Sequence, residues 1–578
     1  MVVWDAFPTG RGKIVVRALV ALTLLFAGCG GVGGGGGADG SLTGASGLTA
    51  QRAPRRIVAA MTSNPASMVA RMNFAQISLP GVSNLEQLVN GSLAEIDGGG
   101  NVLPDFAMAI PSQDNGLWTL TPDGGMTTTW KVRRGVRWHD GTPLTAADFV
   151  FAFNVDRDPD VLSRRPIWYD YVTDADAPDP DTVTLHWNRV YVGADKAFAS
   201  GVLSPLPRHL LQAIFESDKQ AFLAMPYWTS GYVGTGPFRL TSFTLGSSLT
   251  LAANDDYAFG RPKIDEIEVR FIEDINTLVS NLMAGDVDLS MGRGFAVDQA
   301  LLLRHQWTGG TIEWQPSAWV VAFPQFMNPG NPIVTNLAFR QALMYGTDRQ
   351  ALIDSLEGGL STIAHFYMSP SEPEFSDVQS AAVQYEYDPH KAAQLLEGLG
   401  YTKGADGTYH DATGEPLAIQ IRSNGEPITQ TGIVPIASMW TQLGIATDPD
   451  VLSTQRLNDR EYLATYPYFR LMRQGATAIS LANFHTSAIP TAETHYVGIN
   501  YARYSNPDLD GLIDKTLSEI TYSQRIQDYR DAVGLMSQNL SMLGQFYDLS
   551  FVAKSARLTD VTASETAFWG IQKWGVTS

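Results

Sequence analysis

The chain has 578 residues, room for three or four units at roughly 100–200 residues each, and 44% apolar against 17% charged residues is the balance of a folding chain. Forty Lys and Arg against 59 Asp and Glu give a formal charge of −19. That charge excludes the basic face that nucleic acid needs, and it excludes attachment to anionic lipid through a basic patch.

In chain order, Arg11, Lys13 and Arg17 precede Ala18 to Phe26, an apolar stretch of nine residues. A bilayer span needs about 20 residues, so this length fits the core of a secretory signal instead. Ala27, Gly28 and Cys29 follow, and Cys29 is the only cysteine, so no intramolecular disulfide can form. The arrangement resembles a bacterial lipobox, with Phe26 where Leu or Val is preferred. That resemblance implies cleavage after Gly28 and lipidation of Cys29. Gly30 to Gly37 is glycine except for Val32. Such a segment buries nothing and behaves as a flexible coil. Residues 1–28 are therefore expected as a signal peptide and 29–50 as a lipidated glycine-rich tether.

The body reads as alternating strands and helices. Arg56 to Ala59 is a first short strand. Thr145 with Asp148 has capping-box form and opens a helix carrying Phe149, Val150 and Phe153. Ile267, Val269 and Phe271 alternate with charged residues as in a half-buried strand. Asn276 or Thr277 is expected to cap a helix with Leu278, Leu282 and Met283 on its apolar face, stopped by Gly285. Val287 to Leu289 is expected as the next strand. Asp388 and Pro389 start a helix with Leu395, Leu396 and Leu399 inward, closed by Gly400. Gly234 and Gly236 are expected to supply turn conformations, and Asp140 with Gly141 a tight turn.

Nine punctuated segments, in order, resemble those of the oligopeptide- and dipeptide-binding proteins, the family 5 extracellular solute-binding proteins. They are Leu103–Ala107, Arg133–Val136, Trp138–Val150, Gly234–Phe238, Asn254–Asp265, Leu282–Asp288, Phe339–Arg349, Tyr387–Ala392 and Tyr504–Asp510. The resemblance implies an α/β, two-lobed periplasmic-binding-protein-like fold (class II, large oligopeptide-binding type) with an extra subdomain in lobe one. It implies lobe one over 51–313 with its subdomain near 95–227, lobe two over 314–548, and a return to lobe one over 549–578. The chain is expected to cross between lobes around Trp314 to Phe323 and again near Phe546 to Phe551.

In peptide-binding members an aspartate before the last motif pairs with the peptide ammonium, since a buried ammonium needs a charged partner. Here the run is Arg473-Gln474-Gly475-Ala476-Thr477-Ala478-Ile479-Ser480, and the aspartate place holds Ile479 or Ser480. No acid lies between Glu461 and Glu493. By position, the candidate ligand contacts are Asn64 and Ser67 after the first strand, Arg473 and Gly475 beside the altered anchor, Asn500 and Tyr504 beyond it, and Trp319, Tyr468 and Phe484 as aromatic lining. Core packing is an equally open role for the aromatics.

The nine histidines give no HExxH spacing, and no Gly-x-Ser-x-Gly elbow occurs. No catalytic residue, metal or cofactor is expected. The resemblance implies a monomeric extracytoplasmic receptor held to the membrane through Cys29, with a peptide or similar solute and ABC permease subunits as partners. An alternative keeps the fold but not transport: some actinobacterial lipoproteins of this superfamily are associated with cell-envelope glycolipid synthesis.

Overall fold

A computed structural model describes residues 54–73, 79–161, 167–456, 459–564 and 567–577. The expectations on the signal segment, Cys29 and the tether lie outside the described residues. Pro54 to Ser578 forms one unit.

A ten-stranded mixed sheet runs through it. Its strands are β1 (Arg56–Met61), β2 (Phe238–Thr244), β3 (Ser248–Ala253), β4 (Glu266–Phe271), β5 (Leu289–Met291), β6 (Gly310–Pro324), β7 (Ala418–Ser423), β8 (Ala446–Asp450), β9 (Phe469–Gly475) and β10 (Leu543–Ser555). They lie in the order β8-β7-β9-β6-β10-β5-β1-β4-β3-β2. β1 is parallel to β4 and β5, while β6 is antiparallel to both β9 and β10.

The two longest strands, β6 and β10, tie the halves together. On β6, Val320 and Ala322 enter one core, while Trp319, Val321 and Phe323 enter another on the opposite face. The period of two along a strand requires this division. On β10, Leu543, Phe546 and Tyr547 belong to those two cores, whereas Leu549, Phe551 and Ala553 join Leu278, Leu282 and Val287 in a third. The changeover falls at Asp548. Separately, a four-stranded antiparallel sheet (Trp118–Leu120, Met126–Lys131, Thr182–Trp187, Val172–Asp179) carries helix α1 (Ala146–Arg157). Phe149 and Phe153 of α1 are buried and Val150 is half-buried. The Thr145–Asp148 capping box is formed.

Several local expectations are corrected. Helix α2 (Ile275–Ala284) is capped by Asp274, not by Asn276 or Thr277. The Asp274 carboxylate accepts from the Thr277 N–H at 2.7 Å and from the Thr277 hydroxyl at 2.8 Å. A carboxylate at this position also meets the positive end of the helix dipole. Asp274→Ala should cost ~1 kcal/mol, seen as faster hydrogen exchange in the first turn of α2. Met283 is 42% exposed and Val279 takes its place inside. The strand at 287 starts later, at Leu289, because Asp288 uses its carboxylate to accept the Val58 N–H at 2.9 Å. Gly234 and Gly236 do not have positive φ. Their requirement is close approach: a Cβ would fall 1.9 Å from the Val89 oxygen at Gly234 and 2.4 Å from the Val89 carbonyl carbon at Gly236. The His139 ring faces the Gly236 carbonyl at 3.0 Å, and burial holds its pKa down at about 4, so it is a neutral scaffold group. Gly285 ends α2 with φ +79°, and Asp388 caps Pro389–Gly398, as the residues there predict.

Candidate functional site: the cleft between the two halves of the sheet

A cavity of about 1930 Å³ opens over the middle of the main sheet. Residues from both halves line it: Thr62, Pro80 and Trp168 on one side, Ile428, Ala482 and Tyr501 on the other, with Asp548, Leu549 and Phe551 of β10 beneath.

The floor is an ionic knot centred on Asp548, which is 1% exposed. Arg293, just after β5, donates to one carboxylate oxygen at 2.8 Å. Arg473 of β9 donates to the other at 2.5 Å and to the Ser317 hydroxyl at 2.9 Å. The register of β6 explains the reach. Pro316 pairs with Leu549 and Ala318 with Asp548, so Ser317 is the extra residue of a bulge. Proline cannot donate to the ladder, and a bulge there re-aims side chains beside a site. Each half of the molecule thus contributes one arginine to one buried carboxylate.

Glu357 completes the floor. It follows α4 (Arg349–Leu356) and is 1% exposed. Gly358 has φ +57°, and a Cβ there would meet Leu301 at 2.7 Å and Val297 at 3.1 Å. The end of α4 therefore presses onto α3 (Val297–Gln306), which brings Glu357 beside Asp548. Burial, then the Asp548 charge, pushes the Glu357 carboxyl up to about 9, against the pull of Arg293. On the opposite wall Arg470, 5% exposed, donates from Nη1 to the Leu463 carbonyl at 2.8 Å, while its Nε has no acceptor. Burial lowers its pKa.

Of the residues singled out from sequence, Arg473 and Gly475 line this cavity. Ile479 and Ser480 line it too, so the wall at the altered anchor is neutral. The other candidates lie elsewhere. Trp319 and Phe484 are fully packed in the core shared with Tyr367 and Tyr547. Tyr468 packs against the core of the other face and the Gly330 backbone. Asn500 is a loop brace, its amide donating to the carbonyls of Phe484, His485 and Tyr504. Tyr504 packs at a tilt against the Phe326 ring, and its hydroxyl accepts from Asn506 and Asn539. Ser67 is buried within its own turn, and Asn64 accepts the Gly246 N–H at the surface. Sequence reasoning missed Asp548, Arg293, Glu357 and Arg470. One signal was available for Asp548: a lone acid inside the run Leu543–Ala553 must find partners if that run is a buried strand.

Comparison with known proteins follows from this geometry. The model of the bacterial extracellular solute-binding proteins, family 5, matches residues 116–492. The oligopeptide-binding protein AppA of Bacillus subtilis is 23% identical over 466 residues, which cover 78% of this chain and 81% of that one. Its structure with a nonapeptide superposes with a TM-score of 0.69 at 21% identity, covering 91% and 100% of the two chains. The periplasmic EDTA-binding protein EppA reaches 0.73 at 16% identity, covering 90% and 96%. At these identities the structural matches establish the two-lobed fold.

Proposed function

The chain belongs to the bacterial extracellular solute-binding proteins of family 5, and on that premise we propose that it captures an oligopeptide or similar elongated solute between its lobes and hands it to the permease of an ABC importer. One observation carries the choice of ligand size. The cleft, at about 1930 Å³, is larger than the roughly 300–1,000 Å³ of pockets that hold compact small molecules. The relatives support the transport reading over a role in envelope synthesis, because AppA, matched in both sequence and structure, is named an oligopeptide-binding protein.

The separate cores on either side of Asp548 support this division: lobe one over 51–313 and 549–578, lobe two over 314–548, joined by β6 and β10. Closure about those strands buries the solute and presents the occupied form to the permease. Cys29 carries the lipid that holds the body outside the cell membrane, the glycine run is its tether, and the receptor acts as a monomer without turnover. No helix among the described residues is long and apolar enough to cross a membrane.

Native mass spectrometry of the full chain, purified from its own host without refolding, tests this. A co-purifying peptide is the expected result. A co-purifying compact metabolite, or no ligand together with no thermal shift across a peptide mixture, overturns it.

A further inference from the structure

A second cavity, of about 20 Å³, shares no lining residue with the cleft. Roughly 10–15 Å³ already holds one water-sized particle, so this space suits a monatomic or water-sized guest and excludes an organic solute. Much of its wall is apolar, from residues such as Met344, Val533 and Met542, and no carboxylate lines it. Its hydroxyls are committed. Tyr385 donates to the Ser537 carbonyl at 3.1 Å, Tyr367 to the Ala478 carbonyl at 3.0 Å, and Ser537 to the Val533 carbonyl at 2.8 Å.

Two basic groups remain on the wall. Arg349 opens α4 and is 3% exposed. It donates from Nη1 to the Gly544 carbonyl at 3.2 Å and from Nη2 to the Tyr385 carbonyl at 2.6 Å. A guanidinium carries more N–H donors than these two bonds use. Burial lowers its pKa to about 10, so it is charged at neutral pH. Glu386 acts on that charge only from a distance, and among the described residues no carboxylate forms an ion pair with it. His365 stands beside it. Burial, then the Arg349 charge, holds the imidazole down at about 4. The neutral ring has a buried Nδ1 with no hydrogen-bond partner. The tautomer with its proton on Nδ1 presents a donor next to the guanidinium.

Charge selects the occupant. A buried guanidinium without a counter-charge is costly. Water would satisfy the ring nitrogen and leave that charge uncompensated, and a cation would be repelled by it. A small anion answers both.

We propose that this cavity binds a monatomic halide of chloride size, held by the Arg349 guanidinium and the His365 Nδ1–H. The ion braces the start of α4 against Gly544 of β10, whatever occupies the cleft.

The test compares melting of the full chain in sodium chloride and in sodium gluconate at equal ionic strength, since gluconate is too large for the cavity. Wild type should melt about 2 °C higher in chloride, with a rise that saturates. His365→Phe keeps the ring shape and Arg349 but loses the donor. It should need roughly tenfold more chloride for the same rise. Equal melting of wild type in the two salts overturns the proposal. An undiminished response in His365→Phe also overturns it, because the ion then sits elsewhere. Anomalous scattering from wild-type crystals grown in bromide decides the matter even if the variant does not fold. A bromide peak between Arg349 and His365 is expected, and its absence overturns the site. A peak without a chloride-dependent melting point marks binding at crystal concentration only and overturns it equally.

Discussion

Asp548→Asn should lower the free energy of unfolding by ~3 kcal/mol or more. Asparagine keeps the volume, so no cavity forms and the loss is electrostatic. Two guanidiniums, with side chains 22% and 17% exposed, would then face each other across a neutral amide. Removing one partner from a buried pair leaves an uncompensated charge, which costs far more than the net worth of the intact pair. The position matters as much as the energy. Arg293 comes from the half with β1 and β5, Arg473 from the half with β7 to β9, and Asp548 from the strand that serves both. The substitution should therefore also shift the resting lobe angle, detectable as a changed radius of gyration in solution scattering. Urea unfolding gives the energy. A loss below about 1 kcal/mol, the range of an exposed ion pair, would mean that solvent screens the knot.

Trp319→Ala should cost ~3–5 kcal/mol without changing the affinity of the folded protein for its solute. The ring is fully buried, edge-on to Phe323 at 6.4 Å. It lies against the bare Cα of Gly544, where a Cβ would come 3.0 Å from the ring and 2.3 Å from the Ala364 oxygen. Nothing there can collapse to fill the space of an indole. Urea unfolding measures the loss, and titration with the co-purified solute below the unfolding transition measures affinity. Retained stability with lost affinity would place the ring at the ligand after all.

The turn and cap residues that sequence reading handled best are those whose cause is local. Gly285 and Gly141 stand at positive φ, Thr145 and Asp148 form the capping box of α1, and Asp388 caps the helix it precedes. Each effect is complete within about four residues, so the residue types alone reveal it. Where two local solutions competed, as at Asp274 against Asn276 and Thr277, the choice fell to the residue whose carboxylate reaches the third N–H along. The nine ordered segments carried family and fold class because they mark such local features in a fixed succession.

The site followed a different logic. Trp319, Phe484 and Tyr468 have the composition of a ligand pocket, but an aromatic side chain serves a core and a cleft equally well. For Trp319, only the pairing of β6 with β9 and β10 decides which face it occupies. Asp548, Arg293, Arg473 and Glu357 are far apart in the chain. A bulge at Ser317, and the contact of Gly358 with Leu301, bring them to one floor. Sequence by itself determined the secondary elements, their caps, the acidic character and the family, since those depend on neighbours a few residues away. Tertiary structure alone decided which charges meet and which carboxyls share one buried floor, because burial and pairing are properties of strands that meet after hundreds of intervening residues.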